Sequence, residues 1–219
     1  MTSVRRAFAV LLLVAAGCGA GDGLPKTAYR NETFAFGVVP PAGWETVTPD
    51  TATTFIEKHG EKMLDSARAA MSNPVNGKTT FVVAFVKTDS ADPIYPVIGV
   101  THNSVGLPGV GDKEKALSER ALSAKVKQSP YYKAQMESSD IIVVDGRGAV
   151  RIAYRGEIDQ VHPTTNILSR HPIRFVEIMV PSADRTHFLS IHANPTDWDD
   201  HAKTFQKFQM SFKSFGKRS

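Results

Sequence analysis

Only one cysteine, Cys18, occurs in the 219 residues, and it lies near the N-terminus. A chain with one cysteine forms no internal disulfide, and a structural zinc site built on two or more cysteines is excluded. Apolar runs are short: none approaches the roughly 20 residues that a helix needs to cross a bilayer. Clustered charge is missing too. The 26 Lys and Arg are scattered among 22 Asp and Glu, a formal charge of +4. Without Arg5 and Arg6 the count is 24 against 22, which points away from nucleic acid as a partner. There is no internal repeat and no long low-complexity segment. What is present is 42% hydrophobic residues, enough for one globular domain.

Residues 1–17 read as a leader. Arg5 and Arg6 supply a positive start, and residues 7–16, with Leu11-Leu12-Leu13-Val14, supply a short apolar core. The core ends Val14-Ala15-Ala16-Gly17-Cys18, which resembles a bacterial lipobox, with Ala15 where leucine is preferred. The resemblance implies cleavage before Cys18, acylation of that cysteine, and anchoring to a membrane by two or three acyl chains. Gly19 instead of Asp after the cysteine resembles outer-membrane sorting, in cells that have such a membrane. Arg5-Arg6-Ala7-Phe8 partly resembles a twin-arginine export signal, with Val4 in place of Ser or Thr. Residues 18–31 then form a lipidated, flexible tether, Gly-rich up to Lys26.

From residue 32 onward, hydrophobic periodicity sets out the domain. Strands are expected over 34–39, 81–86 and 95–101, the first ended by Pro40-Pro41. Helical spacing covers 53–71, weakened at Gly60, and 113–128 behind an Asp112 N-cap. Strict alternation then predicts a meander over 141–144, 148–154, 174–180 and 187–193, with Asp145-Gly146 as a turn. Thr196 with Asp199 suggests a capping box for a last helix. Trp198, Phe205 and Phe212 lie on its apolar stripe, with Phe208 at the margin. On this reading Val150, Ile152 and Tyr154 share a face with Val176 and Ile178. Glu177 then pairs with Arg151 or Arg155 on the other face.

The order of these pieces resembles the PsbP-like superfamily, which includes many small bacterial lipoproteins. The resemblance rests on an aromatic strand running into Pro40-Pro41-Ala42-Gly43-Trp44, a meander with Asp145-Gly146-Arg147, and a last helix ending Phe212-Lys213-Ser214-Phe215. It covers most of residues 32–215. It implies an α+β domain, an antiparallel sheet with helices packed on both faces, and carries over no catalytic residue. It also implies a role in binding other proteins or assisting the assembly of complexes.

Four stretches invite chemistry. Residues 106–113 imitate a phosphate loop, but Asp112 stands where Lys and then Ser or Thr are required, and a carboxylate repels phosphate. His102-Asn103-Ser104-Val105-Gly106 lacks the first glycine of a nucleophile elbow. Among seven histidines, His162 and His171 flank a loop near Asp159 and are the candidate metal ligands. Asp197, Asp199 and Asp200 suit a helix N-terminus. The resulting expectation is an exported, membrane-anchored lipoprotein without cofactor that binds a protein in the cell envelope. The alternatives are a small-ligand module and, behind it, a hydrolase, whose structural signature would be a serine–histidine pair in hydrogen-bond reach.

Overall fold

A computed structural model describes residues 23–106, 110–127, 131–161 and 165–215. In chain order the elements are β1 (Tyr29–Asn31), β2 (Phe36–Val38), β3 (Glu45–Val47), α1 (Ala52–His59), α2 (Asp65–Ser72), β4 (Val75–Asn76), β5 (Thr79–Val86) and β6 (Val97–Asn103). Then come α3 (Asp112–Lys127), β7 (Tyr131–Val144), β8 (Arg147–Val161), β9 (Leu168–Pro181), β10 (Thr186–Ala193), α4 (Trp198–Ser211) and β11 (Lys213–Ser214). The large sheet is antiparallel, in the order β3-β5-β6-β10-β9-β8-β7, with β4 beside β5. A small sheet, β1-β2-β11, ties the start of the domain to its end.

Both faces of the large sheet are covered, as the α+β reading requires. On one face Val83, Phe85, Ile98, Val100, Ile178, Leu189 and Ile191 meet Trp198, Phe205, Phe208 and Phe212 of the C-terminal segment. Phe208, expected at the margin, is among the most buried of these. On the other face α1 and α2 bury Phe55, Met63 and Met71 against Phe81, Ala84, Val86 and Val97. The expected helix over 53–71 is broken. A 3-10 turn at Gly60–Lys62 separates α1 from α2, and Met63 behind it is extended. The weak helix former at 60 is where the chain turns so that Met63 and Leu64 both become buried.

The helix caps also differ from expectation. Glu114 accepts from the Gly111 amide at 2.9 Å, so Gly111 rather than Asp112 occupies the cap position of α3. Before α4, a 3-10 turn at Pro195–Asp197 intervenes, and Asn194, not Thr196, accepts the capping bond, from the Thr196 amide at 3.0 Å. β1 occupies the last residues of the 18–31 stretch, so packing begins before residue 32. Gly37 on β2 makes this possible. A Cβ there would lie 2.5 Å from the Leu24 side chain and 3.1 Å from Phe215.

The meander strands are longer than their apolar cores suggest. β8 and β9 pair from Val150↔Met179 out to Val161↔Leu168. Beyond Arg174, β9 has left β10 behind, so Pro172 sits where no neighbour on that side needs its missing amide. The turn between β7 and β8 has φ of 50° at Asp145 and 72° at Gly146, the tight hairpin type that Asp-Gly favours.

Phe205 is 5% exposed inside the main core. Phe205→Ala is expected to lower stability by about 3–5 kcal/mol in chemical denaturation. An unchanged midpoint would show that α4 is peripheral.

Candidate functional site

Where β8 and β9 run past the rest of the sheet, alternation sorts their side chains onto two faces. Asp159 and Arg170 are cross-strand partners on one face, and Arg170 donates to Asp159 with Nη2 at 2.9 Å. Ile158 and Gln160, with His171 and Ser169 opposite, lie on the other. There Ile158 and Ile173 pack against Leu64 and Ile94, which brings the Gly60–Lys62 turn over the strands. Gln160 completes the join. Its amide nitrogen donates to the carbonyls of Glu61 at 3.2 Å and Met63 at 2.8 Å.

These contacts enclose a cleft of about 200 Å³ lined by Glu61, Lys62, Pro93, Gln160, Ser169 and His171. The Lys62 ammonium donates to the Ser90 carbonyl at 2.8 Å and lies 4.5 Å from the centre of the Tyr95 ring. Ser169 Oγ and His171 Nε2 are 2.8 Å apart. Sequence reasoning singled out His171 but not its neighbours. Glu61 and Lys62 are more than a hundred residues away in the chain, and no local spacing joins them to the hairpin.

The serine–histidine pair is the signature that a hydrolase would need, yet its setting differs from a nucleophile's. Ser169 lies within a paired strand opposite Gln160, and its hydroxyl also reaches the Gln160 carbonyl at 3.4 Å. The strained turn that bares a catalytic serine is missing at this position. Asp159, the acid of the adjoining strand, faces the other way and is held by Arg170. For the same reason His171 and Asp159 cannot share a metal, while His162 lies outside the described residues. Among the described residues no group of three or more His, Cys, Asp or Glu could hold a metal ion.

The other stretches resolve into structural roles. Ser104 follows β6, its amide bonded to the Lys78 carbonyl, with α3 starting only at Asp112. The register placing Glu177 beside Arg151 or Arg155 is overturned. Glu177 is opposite Ile152, on the Val150 face. Arg151 pairs instead with Asp140 of β7 at 2.9 Å, and its guanidinium holds the Asp140 carboxyl below the usual range. Arg155 and Arg174 converge on Glu137 at 3.8 and 2.6 Å. These are cross-strand charge pairs. At the start of α4, burial and the neighbouring Asp197 push the Asp92 carboxyl up.

His102 and His187 form a second cluster at the opposite end of the sheet. They are cross-strand partners with ring centres 5.4 Å apart. His187 Nε2 meets the Phe34 carbonyl at 2.9 Å, and Phe36 and Phe212 pack on the same ring. His192, five residues on, points to the other face and stacks on Phe175.

No family model and no curated protein matches the chain. Solved structures do. The cyanobacterial PsbP (CyanoP) from Synechocystis sp. PCC 6803 superposes with a TM-score of 0.53 at 13% identity, covering 92% of this chain and 99% of that one. The fold is PsbP-like. LpqN of Mycobacterium tuberculosis, a protein involved in cell envelope biogenesis there, matches with a TM-score of 0.39 at 14% identity, over 65% of this chain and 82% of that one.

Burial lowers the His187 pKa to about 4, from an ordinary value near 6.5; nearby His102, Arg185 and Arg147 act in the same direction, and the Phe34 carbonyl opposes them. A depressed histidine stabilises the fold above the unfolded value and loses that contribution as pH falls through the folded one. Stability is therefore expected to drop by about 3 kcal/mol between pH 6.5 and 4 from this residue. His187→Gln, which keeps a neutral donor, should flatten that part of the pH–stability curve; a curve as steep as the parent's would remove His187 from the account.

Proposed function

We propose that this protein is an exported, lipid-anchored protein of the cell envelope that holds a protein partner and has no catalytic role. The anchoring half rests on the leader, the lipobox-like residues before Cys18, and the lack of any other cysteine. Among the described residues no helix is long and apolar enough to cross a membrane.

The binding half rests on one observation, the tip of the β8–β9 hairpin. Val161, Ile167 and Leu168 are 40%, 64% and 61% exposed there. Three large apolar side chains grouped at a projecting tip are a contact surface rather than ordinary scatter. The tip also lies at the far end of the sheet from the N-terminal strands. β9 spans 14 residues between its ends, roughly 45 Å of extended chain. The tether enters by the small sheet, beside the Pro181 end, so the Leu168 end is presented away from the anchor. A second reading, a small-ligand module, is favoured by the cleft beside the tip.

In the test, the membrane-bound full chain is cross-linked in cells and recovered, alongside Cys18→Ser and an Ile167→Ser, Leu168→Ser double variant. Cys18→Ser should release the protein from membranes and abolish incorporation of a clickable palmitate. The double variant should stay on the membrane and lose its cross-linked species. Retained palmitate labelling would sink the anchor; an unchanged cross-linking pattern would sink the tip.

A further inference from the structure

Lys62 is the feature of the cleft that its surroundings leave unfinished. It is half-buried, and its ammonium contacts a carbonyl and an aromatic ring. Among the described residues no carboxylate pairs with it within 4 Å, although most other fixed cations near the strands have one. Arg151, Arg170 and Arg174 are each matched to an acid. A half-buried cation held by a carbonyl and a ring leaves its counter-charge to be supplied by an anion from solution. Its position is also set in advance. Ser90 and Tyr95 hold the ammonium, and the Gln160 amide holds the carbonyls of Glu61 and Met63 on either side of Lys62 in the chain.

Across the cleft stand Ser169 and His171, joined at 2.8 Å. A hydroxyl and an imidazole are both able to donate to an oxyanion. We infer that the cleft bounded by Lys62, Ser169 and His171 binds a small ligand through a carboxylate or phosphate group. Lys62 supplies the counter-charge, Ser169 donates the hydrogen bond while its oxygen accepts from His171 Nε2, and Gln160 positions the turn that carries Lys62. Glu61, also in the lining, sets the charge that the site tolerates. One acid beside one base disfavours a polyanion and suits a ligand of low charge. The volume, about 200 Å³, matches a handful of water molecules at about 30 Å³ each, and so a ligand of metabolite-fragment size. This deepens the ligand-module reading and is independent of both the anchor and the hairpin tip.

The test is calorimetric titration of the purified protein, as it is recovered from cells expressing the full chain, in neutral detergent with acetate, inorganic phosphate and glucose. At least one anion should bind, more weakly at high salt, and glucose should not. Tighter binding of acetate assigns the site to carboxylates, and tighter binding of phosphate assigns it to phosphates. Lys62→Gln should weaken the preferred anion about tenfold, the loss of one hydrogen bond to a charged group. Lys203→Gln, at an exposed helix position paired with Asp200, should change nothing. If Lys62→Gln fails to fold by circular dichroism, Ser169→Ala carries the same test with the same expected direction. Anion binding that survives the Lys62 or Ser169 change, or falls equally with Lys203→Gln, overturns the inference. Heat from glucose alone would overturn the anion assignment while leaving a ligand module standing; no heat from any of the three would remove both.

Discussion

The stack of Phe36 on Phe212 is the contact on which the rest of the arrangement depends. The rings lie 5.8 Å apart at 15°, and neither side chain is exposed. Phe36 belongs to the second strand of the domain and Phe212 closes its last helix, so the contact joins the chain's beginning to its end. Around it are His187, Tyr29 and, through Tyr29, Phe85 of the large sheet. Burial of the fully enclosed rings Phe36, Phe212 and Phe85 contributes about 1.5–3 kcal/mol each. Together they fix the small sheet against the large one. The backbone adds to this through β11, which pairs with β2 directly after α4 ends. Asp145, in the β7–β8 turn, is drawn into the same joint by Lys213 at 3.2 Å and the Ser214 amide at 3.0 Å.

The last helix and the apolar strand cores are legible because each carries a pattern its own residues enforce. Trp198, Phe205 and Phe212 at helical spacing could bury only one way, and they do. Strand phase was a different matter. β9 buries Phe175 and Met179 on one face and Val176, Ile178 and Val180 on the other. A strand covered on both faces carries no polar mark to show which side is which. Pairing Val176 with the Val150 face picks one of two apolar rows, whereas Glu177 and Met179 lie on that face. The strand lengths were missed for a related reason. The outer parts of β7, β8 and β9 mix apolar and polar residues and include two bulges and a proline, so pairing and not strict alternation defines them.

The candidate site was less legible than the fold. His171 drew attention as one of two histidines near a loop, and its expected partner Asp159 was close in sequence. Closeness by an odd number of registers across a hairpin places two side chains on opposite faces. Glu61 and Lys62, which line the cleft with His171, come from a 3-10 turn between two helices, and that turn exists because the helix fails at Gly60. A sequence shows a weak helix former; it does not show over which strand pair the broken end will lie. Lys62 had no signature at all, being one lysine among many until its burial and its lack of an acid are seen.

The extended end of the β8–β9 hairpin is held up by few contacts, and they are shared. One face relies on the Asp159–Arg170 pair, a solvent-exposed interaction that adds little. The other relies on Ile158 and Ile173 against Leu64 and Ile94, and on Gln160 reaching two carbonyls of the turn. Gln160 is 4% exposed, so losing its bonds would leave buried polar groups unpaired, at about 1–3 kcal/mol each. The next residue, Val161, already belongs to the exposed tip. The groups that shape the cleft are thus the same ones that fix where the tip points. A fold whose first and last strands are locked together at one end gains its reach at the other from an apolar contact, a surface ion pair and the Gln160 strut together.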